Sequence, residues 1–515
     1  MPRFFNTTGP CDPRQHYMLP AEARSPGLLA LVERAQYFVL HAPRQVGKTT
    51  AMRAFAERLR GLGYAAVWAT LETSQGLDQT ADTEPLWIAS IADRASVLAP
   101  ADRPPDPHPA LVQSPGRRLL AYLRAWSEQT PLPIVLLLDE ADVVSGQALI
   151  SMLRQLRDGF VDRGPGSFPV SVGLIGMRDL RDYLTEAKGG VRVNPGSPFN
   201  IKAASITLRN FRPEECAALL AQHTDDTGQP FLPDAIEQIY TQSGGHPFLV
   251  NALAAAAIEE ADAAPIGRAH IDRAVERLIR ARTTHLDSLG QRLAEPRVAR
   301  ILQPILLGDE DVETETDDFQ YTVDLGLVHP TLRPPQIANP LYREVLARQL
   351  TLRRQENLNP PWWRWQRPDG GLDFPALINA FLDWWRNNEG MIRRPTQGYP
   401  EATAHITFMA FLQRVVNGGG QIQRELAAGR GAVDLVVDYA GERFVVEMKR
   451  VRPDHDALET VREQGALQLS AYLDSLGHPE GWLLLFDQRP GRPWSERLWR
   501  EDRLVNGHIL HLIGA

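Results

Sequence analysis

The sequence predicts a multidomain α/β protein. At 515 residues the chain exceeds what one hydrophobic core sustains, so two to four domains are expected. Continuous apolar strands alternate with helices through its first part, the pattern of a parallel sheet covered on both faces. A second α/β stretch follows a segment rich in Pro, Trp and Arg.

The elements follow in order. Residues 36–41 read as a buried strand that enters a glycine-containing loop, and a helix is expected from Thr49 to about Leu59. The run Ile134-Val135-Leu136-Leu137-Leu138 reads as a second strand ending in Asp139-Glu140, and 169–175 as a third. From Arg212 the pattern turns helical, with Pro213 and Pro233 opening helices and Ser243-Gly244-Gly245-His246-Pro247 separating two of them. The expected boundaries are 1–205 for the parallel-sheet core and 206–285 for a helical lid. A winged-helix-like unit at 286–350 follows, with a short β-wing between Leu325 and Ile337. A Trp/Pro-rich helical linker at 351–390 leads to a C-terminal α/β domain at 391–515.

Bulk composition narrows the class. Apolar residues make up 43% and charged residues 23%, as in water-soluble globular proteins. Cys11 and Cys216 are too few for a disulfide framework or a cysteine-rich zinc site, which suits a reducing cytoplasm. The start, Met1-Pro2-Arg3-Phe4-Phe5, lacks a signal-peptide apolar stretch. The run from Phe248 to Ile258, broken by Asn251, is too short to span a membrane, so no membrane partner is expected. A net charge of −8 means that any nucleic-acid contact must come from a local basic surface.

Lysine placement is the sharpest signal. Only four of the 55 basic residues are lysine. Lys188 and Lys202 show no special context. Lys48 closes the run Ala42-Pro43-Arg44-Gln45-Val46-Gly47-Lys48-Thr49, followed by Thr50. A phosphate-binding loop needs glycine where backbone approaches phosphate, an ammonium for the terminal phosphates and a hydroxyl for magnesium. Ala42 stands where the first glycine of the pattern belongs. About 90 residues on, Asp139 is placed to hold magnesium and Glu140 to activate water. The plain alternative is a strand–helix turn with an unrelated acidic strand end.

Residues from Tyr37 to about Asn251 resemble the bacterial AAA-like ATPases related to the signal-transduction ATPases with numerous domains. The likeness rests on Gln45-Val46-Gly47-Lys48-Thr49-Thr50, Leu138-Asp139-Glu140, Gly176-Met177-Arg178-Asp179 and Gly244-Gly245-His246-Pro247. It implies a P-loop parallel sheet with a helical lid that binds ATP and Mg2+. It also implies that Arg178 senses the γ-phosphate and that Pro247 contacts nucleotide. Both could equally be a strand-end charge and an interhelical turn. Arg154, Arg157 or Arg163 acting in trans would imply a homo-oligomer through the ATPase module, although solvated helix charge is the plainer reading.

Lys449 belongs to a second pattern. Residues 433–439 and 443–450 alternate as two strands about Ala440-Gly441. A two-residue turn sets Asp434 opposite Glu447, with Lys449 on the same face. Two carboxylates about 5 Å apart repel unless a divalent cation lies between them, and hard oxygen ligands suit Mg2+ or Mn2+. Gln468 and Tyr472 are i, i+4 on one helix face. The alternative is a solvated Asp434 beside a surface Glu447–Lys449 pair.

Together Val433-Asp434, Glu447-Met448-Lys449 and Gln468…Tyr472 resemble the PD-(D/E)XK nuclease superfamily, particularly its lambda-exonuclease and RecB-like branch. Val433 replaces the proline of the family name. The resemblance implies that Asp434, Glu447 and Glu401 hold metal, Lys449 aids catalysis, and Gln468 and Tyr472 position phosphate. The winged-helix-like unit could dock DNA, though interdomain packing is the plainer expectation. Trp362, Trp363, Trp365, Trp384 and Trp385 could stack on bases, though burial is the plainer expectation. The expected whole is an ATP-gated, metal-dependent DNA nuclease, with defence against phage or mobile elements suggested by architecture. The rival is a nucleotide-switched signalling or DNA-binding ATPase whose nuclease-like domain does not cut.

Overall fold

The computed structural model describes the chain except residues 1–2, 21–23, 165, 178–201, 282–285, 287–288, 290, 307–311, 356–364, 393–407, 409–411, 413–419, 429–430, 452–457 and 488–491. At 431–434, among others, it describes backbone only. The chain divides into two compact units. Met1–Thr283, Glu315–Thr331 and Ala338–Leu341 form the first; Thr284–Thr314, Leu332–Ile337 and Tyr342–Ala515 form the second. Segments of 286–350 therefore fall in both.

The first unit is built on strands β1 (Tyr37–His41), β2 (Ala65–Thr70), β3 (Ile134–Asp139), β4 (Ser171–Gly176) and β5 (Lys202–Thr207). They form a parallel sheet in the order β2-β3-β4-β1-β5. The unbroken apolar runs arise because the two faces pack separate cores. Ile134, Leu136 and Leu138 join Trp87, Trp126 and Met152 on one face. Val135 and Leu137 join Phe38, Phe55 and Leu59 on the other. A residue alternation of two thus reads as continuous hydrophobicity. β5 carries no such run, and the run of β2 is half alanine, so neither strand is legible in the sequence.

Three following helices, Pro213–Thr227, Pro233–Ser243 and Pro247–Ala261, each open on proline, where the missing N–H costs nothing. A fourth spans Arg268–Arg280. Residues before the first helix also reach this layer: Arg3 pairs with Asp226 (2.9 Å), and Phe5 and Tyr17 pack around His223. No regular strand lies between Leu325 and Ile337 among the described residues. Val328 and Ile337 are single β-bridge positions, and Ala338 N donates to Leu327 O (2.9 Å).

The second unit contains a mixed six-stranded sheet. Its strands are β6 (Gly420–Ala428), β7 (Gly431–Tyr439), β8 (Glu442–Val451), β9 (Glu480–Asp487), β10 (Arg500–Val505) and β11 (His508–Gly514). The order is β10-β11-β9-β8-β7-β6, with β8, β9 and β11 mutually parallel. One face packs Leu435, Val437, Phe444 and Val446 against Phe374, Phe381 and Trp385 from helix Phe374–Ile392. Trp365 and Trp385 are buried there, consistent with core packing, whereas Trp362 and Trp363 lie outside the described residues. The other face packs Val436, Val445 and Leu483 under Ala466, Leu469 and Tyr472 of helix Leu458–Leu476. Among the described residues, no helix is long and apolar enough to cross a membrane.

Candidate functional site

β1 delivers the loop to the C-terminal edge of the parallel sheet, where such folds place ligands. Positive φ falls at Gln45 (58°) and Gly47 (89°), and not at Ala42. A methyl at 42 is therefore accommodated, and the missing first glycine costs no strain. Lys48 opens helix Lys48–Gly61, and its buried Nζ donates to the carbonyls of Ala42 (2.8 Å) and Pro43 (3.0 Å). Burial lowers its proton affinity, opposed by the charges of Glu140, Asp142 and Asp139.

Thr49 Oγ1 donates to Asp139 Oδ2 at 2.7 Å, joining the loop to the end of β3. Asp139 is buried and also accepts from Trp68 Nε1 (3.0 Å) and from Glu140 N (3.0 Å). Glu140 follows in a left-handed conformation, φ 56°. Burial, then the charges of Asp142 and Asp139, raises its pKa, with Lys48 opposing. The oxygen donors of Thr49 and Asp139 suit magnesium, which when bound supplies charge neutralisation to a nucleotide's phosphates. Among the described residues, no group of three or more His, Cys, Asp or Glu is arranged as a metal site.

Other contacts join the loop to the rest of the unit. The buried guanidinium of Arg24 donates to Val46 O (2.9 Å) and Arg209 O (3.1 Å), and burial lowers its pKa to about 10. His246 Nε2 lies 3.2 Å from Arg44 O, which ties the lid turn before Pro247 to the loop. Gly326 packs on Pro43 so closely that a Cβ there would fall 2.5 Å from Pro43 Cγ. Thr50 Oγ1 accepts from Cys11 N (3.1 Å), and Arg44 Nε approaches Met177 Sδ (3.4 Å). Arg163 donates to Val170 O (2.8 Å) and Ala35 O (2.7 Å). Arg178 lies outside the described residues.

In the second unit, Ala440 (φ 50°) and Gly441 (φ 85°) make a two-residue turn, pairing Tyr439 with Glu442 through Leu435 with Val446. Asp434 is one position beyond Leu435 on β7; its side chain, and Glu401 entirely, lie outside the description. Glu447 is 0% exposed and Lys449 Nζ is 2.8 Å from its Oε1. The expected surface alternative is thus not what forms on the Glu447 side, because helix Leu458–Leu476 covers it. Gly465 of that helix permits the approach: a Cβ would stand 3.0 Å from Leu483 and 3.3 Å from Lys449 Cγ. From the same helix Gln468 Nε2 donates to Tyr472 Oη (2.5 Å), with Tyr472 buried in the helix–sheet layer.

A parallel five-stranded sheet, a lysine-bearing phosphate loop after β1 and an acid pair at the end of β3 define a P-loop ATPase domain that binds ATP. Residues 32–184 match the family described as AAA domain. Among solved structures, the chain is similar to a Walker-type ATPase of Pyrococcus abyssi at 16% identity and TM-score 0.48, covering 66% of this chain and 99% of that one. It is also similar to the ORC2 protein of Aeropyrum pernix at 14% identity and TM-score 0.40, covering 68% and 96%. The RuvB Holliday junction branch migration motor of Thermotoga maritima follows at 16% identity and TM-score 0.34, covering 63% and 92%. No curated protein matches the chain.

Proposed function

We propose that the chain is an ATP-gated, metal-dependent nuclease acting on DNA, with the P-loop unit as switch and the C-terminal sheet as cutting domain. The observation that carries this reading is the buried Glu447 carboxylate held 2.8 Å from the Lys449 ammonium. Burying a carboxylate is costly, and a chain that uses arginine almost everywhere places one of its four lysines on it. Asp434, one register step beyond the described β7–β8 pairs, would join Glu447, and Glu401 would add a further oxygen ligand. A metal held there would polarise a scissile phosphate. Lys449 orients the attacking water or meets developing charge, while Gln468 and Tyr472 bind phosphate oxygens. In the P-loop unit, Lys48 and Thr49 hold the triphosphate and Glu140 takes the proton from water. Segments of 286–350 belong to both units, and nucleotide state would be coupled to cutting through them. Defence against foreign DNA and self-association through the ATPase module remain part of this proposal.

The rival reading is a nucleotide-switched signalling or DNA-binding ATPase whose nuclease-like domain does not cut. One assay separates them. Linear, nicked and single-stranded DNA are incubated with Mg2+ or Mn2+, with and without ATP, using wild type, Lys48→Ala, Asp434→Ala and Lys449→Ala. The nuclease reading expects metal-dependent cleavage that Asp434→Ala and Lys449→Ala abolish and Lys48→Ala uncouples from ATP. DNA retention without cleavage in wild type would leave only the switch.

A further inference from the structure

Trp68 belongs to no recognised part of the nucleotide site. It lies on β2, the edge strand, paired with Leu137 of β3, so its indole arrives beside the acid that ends β3. Its Nε1–H donates to Asp139 Oδ2 at 3.0 Å, the oxygen that Thr49 Oγ1 reaches at 2.7 Å. Glu140 N holds the other oxygen, Oδ1, at 3.0 Å. The two torsions of the buried Asp139 side chain are thus constrained from three directions.

The indole is itself clamped. The guanidinium of Arg53 lies 4.3 Å from the ring centroid and that of Arg94 5.0 Å. Both guanidiniums thus lie within cation–π range of the ring, and the charge of Asp139 also attracts Arg53. With Arg60, Glu57 and Trp68 itself the two arginines line a cavity of about 350 Å3.

We propose that Trp68 is a positioning residue that sets the orientation of Asp139 toward the divalent cation of a bound nucleotide. The inference rests on the nucleotide-site reading above. An indole N–H is a donor only, so it orients the carboxylate without competing as a ligand. Partners of metal-binding carboxylates of this kind are commonly worth 10–100-fold in metal affinity. Phe at this position keeps a ring for the two guanidiniums and removes only the donor. A ring with an N–H, as in His, restores the donor.

The test measures binding, not turnover. Affinity of the full-length protein for a non-hydrolysable ATP analogue is determined by calorimetry in EDTA and across a Mg2+ titration. Trp68→Phe is expected to raise the Mg2+ concentration at half-effect about tenfold, with affinity in EDTA unchanged and partial recovery in Trp68→His. In an Asp139→Asn background, Trp68→Phe should add nothing, which keeps the inference testable if one variant is poorly stable. Identical Mg2+ curves for wild type and Trp68→Phe overturn it, as does an equal loss in EDTA, which marks a general structural defect. If wild type and Lys48→Ala both fail to bind the analogue, the nucleotide-site reading itself is wrong, a result distinct from the first two.

Discussion

Thr49 and Asp139 are 90 positions apart in sequence, and their side-chain oxygens meet at 2.7 Å. The contact exists because β1 and β3 flank β4 in one parallel sheet, so both strands end at the same edge. The phosphate loop leaves one and the acid pair leaves the other. Catalytic chemistry at that edge therefore depends on sheet order more than on any single residue.

Lys48 is the ammonium of this edge, and its removal should uncouple nucleotide from stability. A ligand at 100 times its Kd stabilises a folded protein by about 2.7 kcal/mol. Wild type is expected to show a rise in Tm with Mg-ATP, and Lys48→Ala none, with little change in the nucleotide-free Tm. Differential scanning calorimetry reads both.

Glu140 carries a raised pKa, from burial first and then the charges of Asp142 and Asp139. Below the ordinary value of 4.5 it is protonated whether folded or unfolded, and no penalty arises. As pH rises through the elevated folded value, ionisation is resisted in the fold only, and stability falls. Glu140→Gln should therefore raise Tm relative to wild type at pH 7–8, with the gain gone near pH 4. The same substitution should slow ATP hydrolysis by roughly 10²–10⁴ while nucleotide still binds.

Gly245 precedes the lid helix at φ 69°, and a Cβ there would fall 2.2 Å from the backbone oxygen of Phe211. Gly245→Ala combines left-handed strain with a backbone collision and should cost at least about 2 kcal/mol. Gly228 has φ 77° and nothing within 4 Å, so Gly228→Ala should cost only about 1 kcal/mol. Urea midpoints of the two variants, compared side by side, decide it.

Lys449→Ala would leave the buried Glu447 carboxylate without its ammonium. Because the Lys449 side chain is 29% exposed, a loss of roughly 1–3 kcal/mol is expected, below that of a fully buried pair. Adding Glu447→Gln should recover part of the loss. Denaturant unfolding of the single and double variants tests this, and equal losses in both would remove the ion pair from the account.

Much of the P-loop unit was legible because its signals are local. The alternation of faces in 134–138 and the glycine-lysine-threonine run each act within a few residues. The edge strands escaped notice: Ala65–Thr70 is mostly small residues that read equally as helix, and Lys202–Thr207 is half polar. The contacts of Arg24, Trp68 and His246 are illegible for a different reason. Each acts on a loop or carboxylate 22 to 202 positions away, and no spacing rule links them. In the C-terminal unit the two-residue turn at Ala440-Gly441 was readable from residue type, and with it the register of β7 and β8.

Sequence by itself determined the chemistry on offer: a phosphate loop, an acid pair at a strand end, and a Glu-Met-Lys run after a tight hairpin. These are written in short-range patterns of charge, glycine and apolar alternation. Tertiary structure decided which groups meet and how deeply they lie. It set Trp68 on Asp139, Arg24 beneath the loop, and Glu447 wholly under a helix. Burial and proximity across a sheet depend on strand order and helix docking, which arise from packing the whole chain.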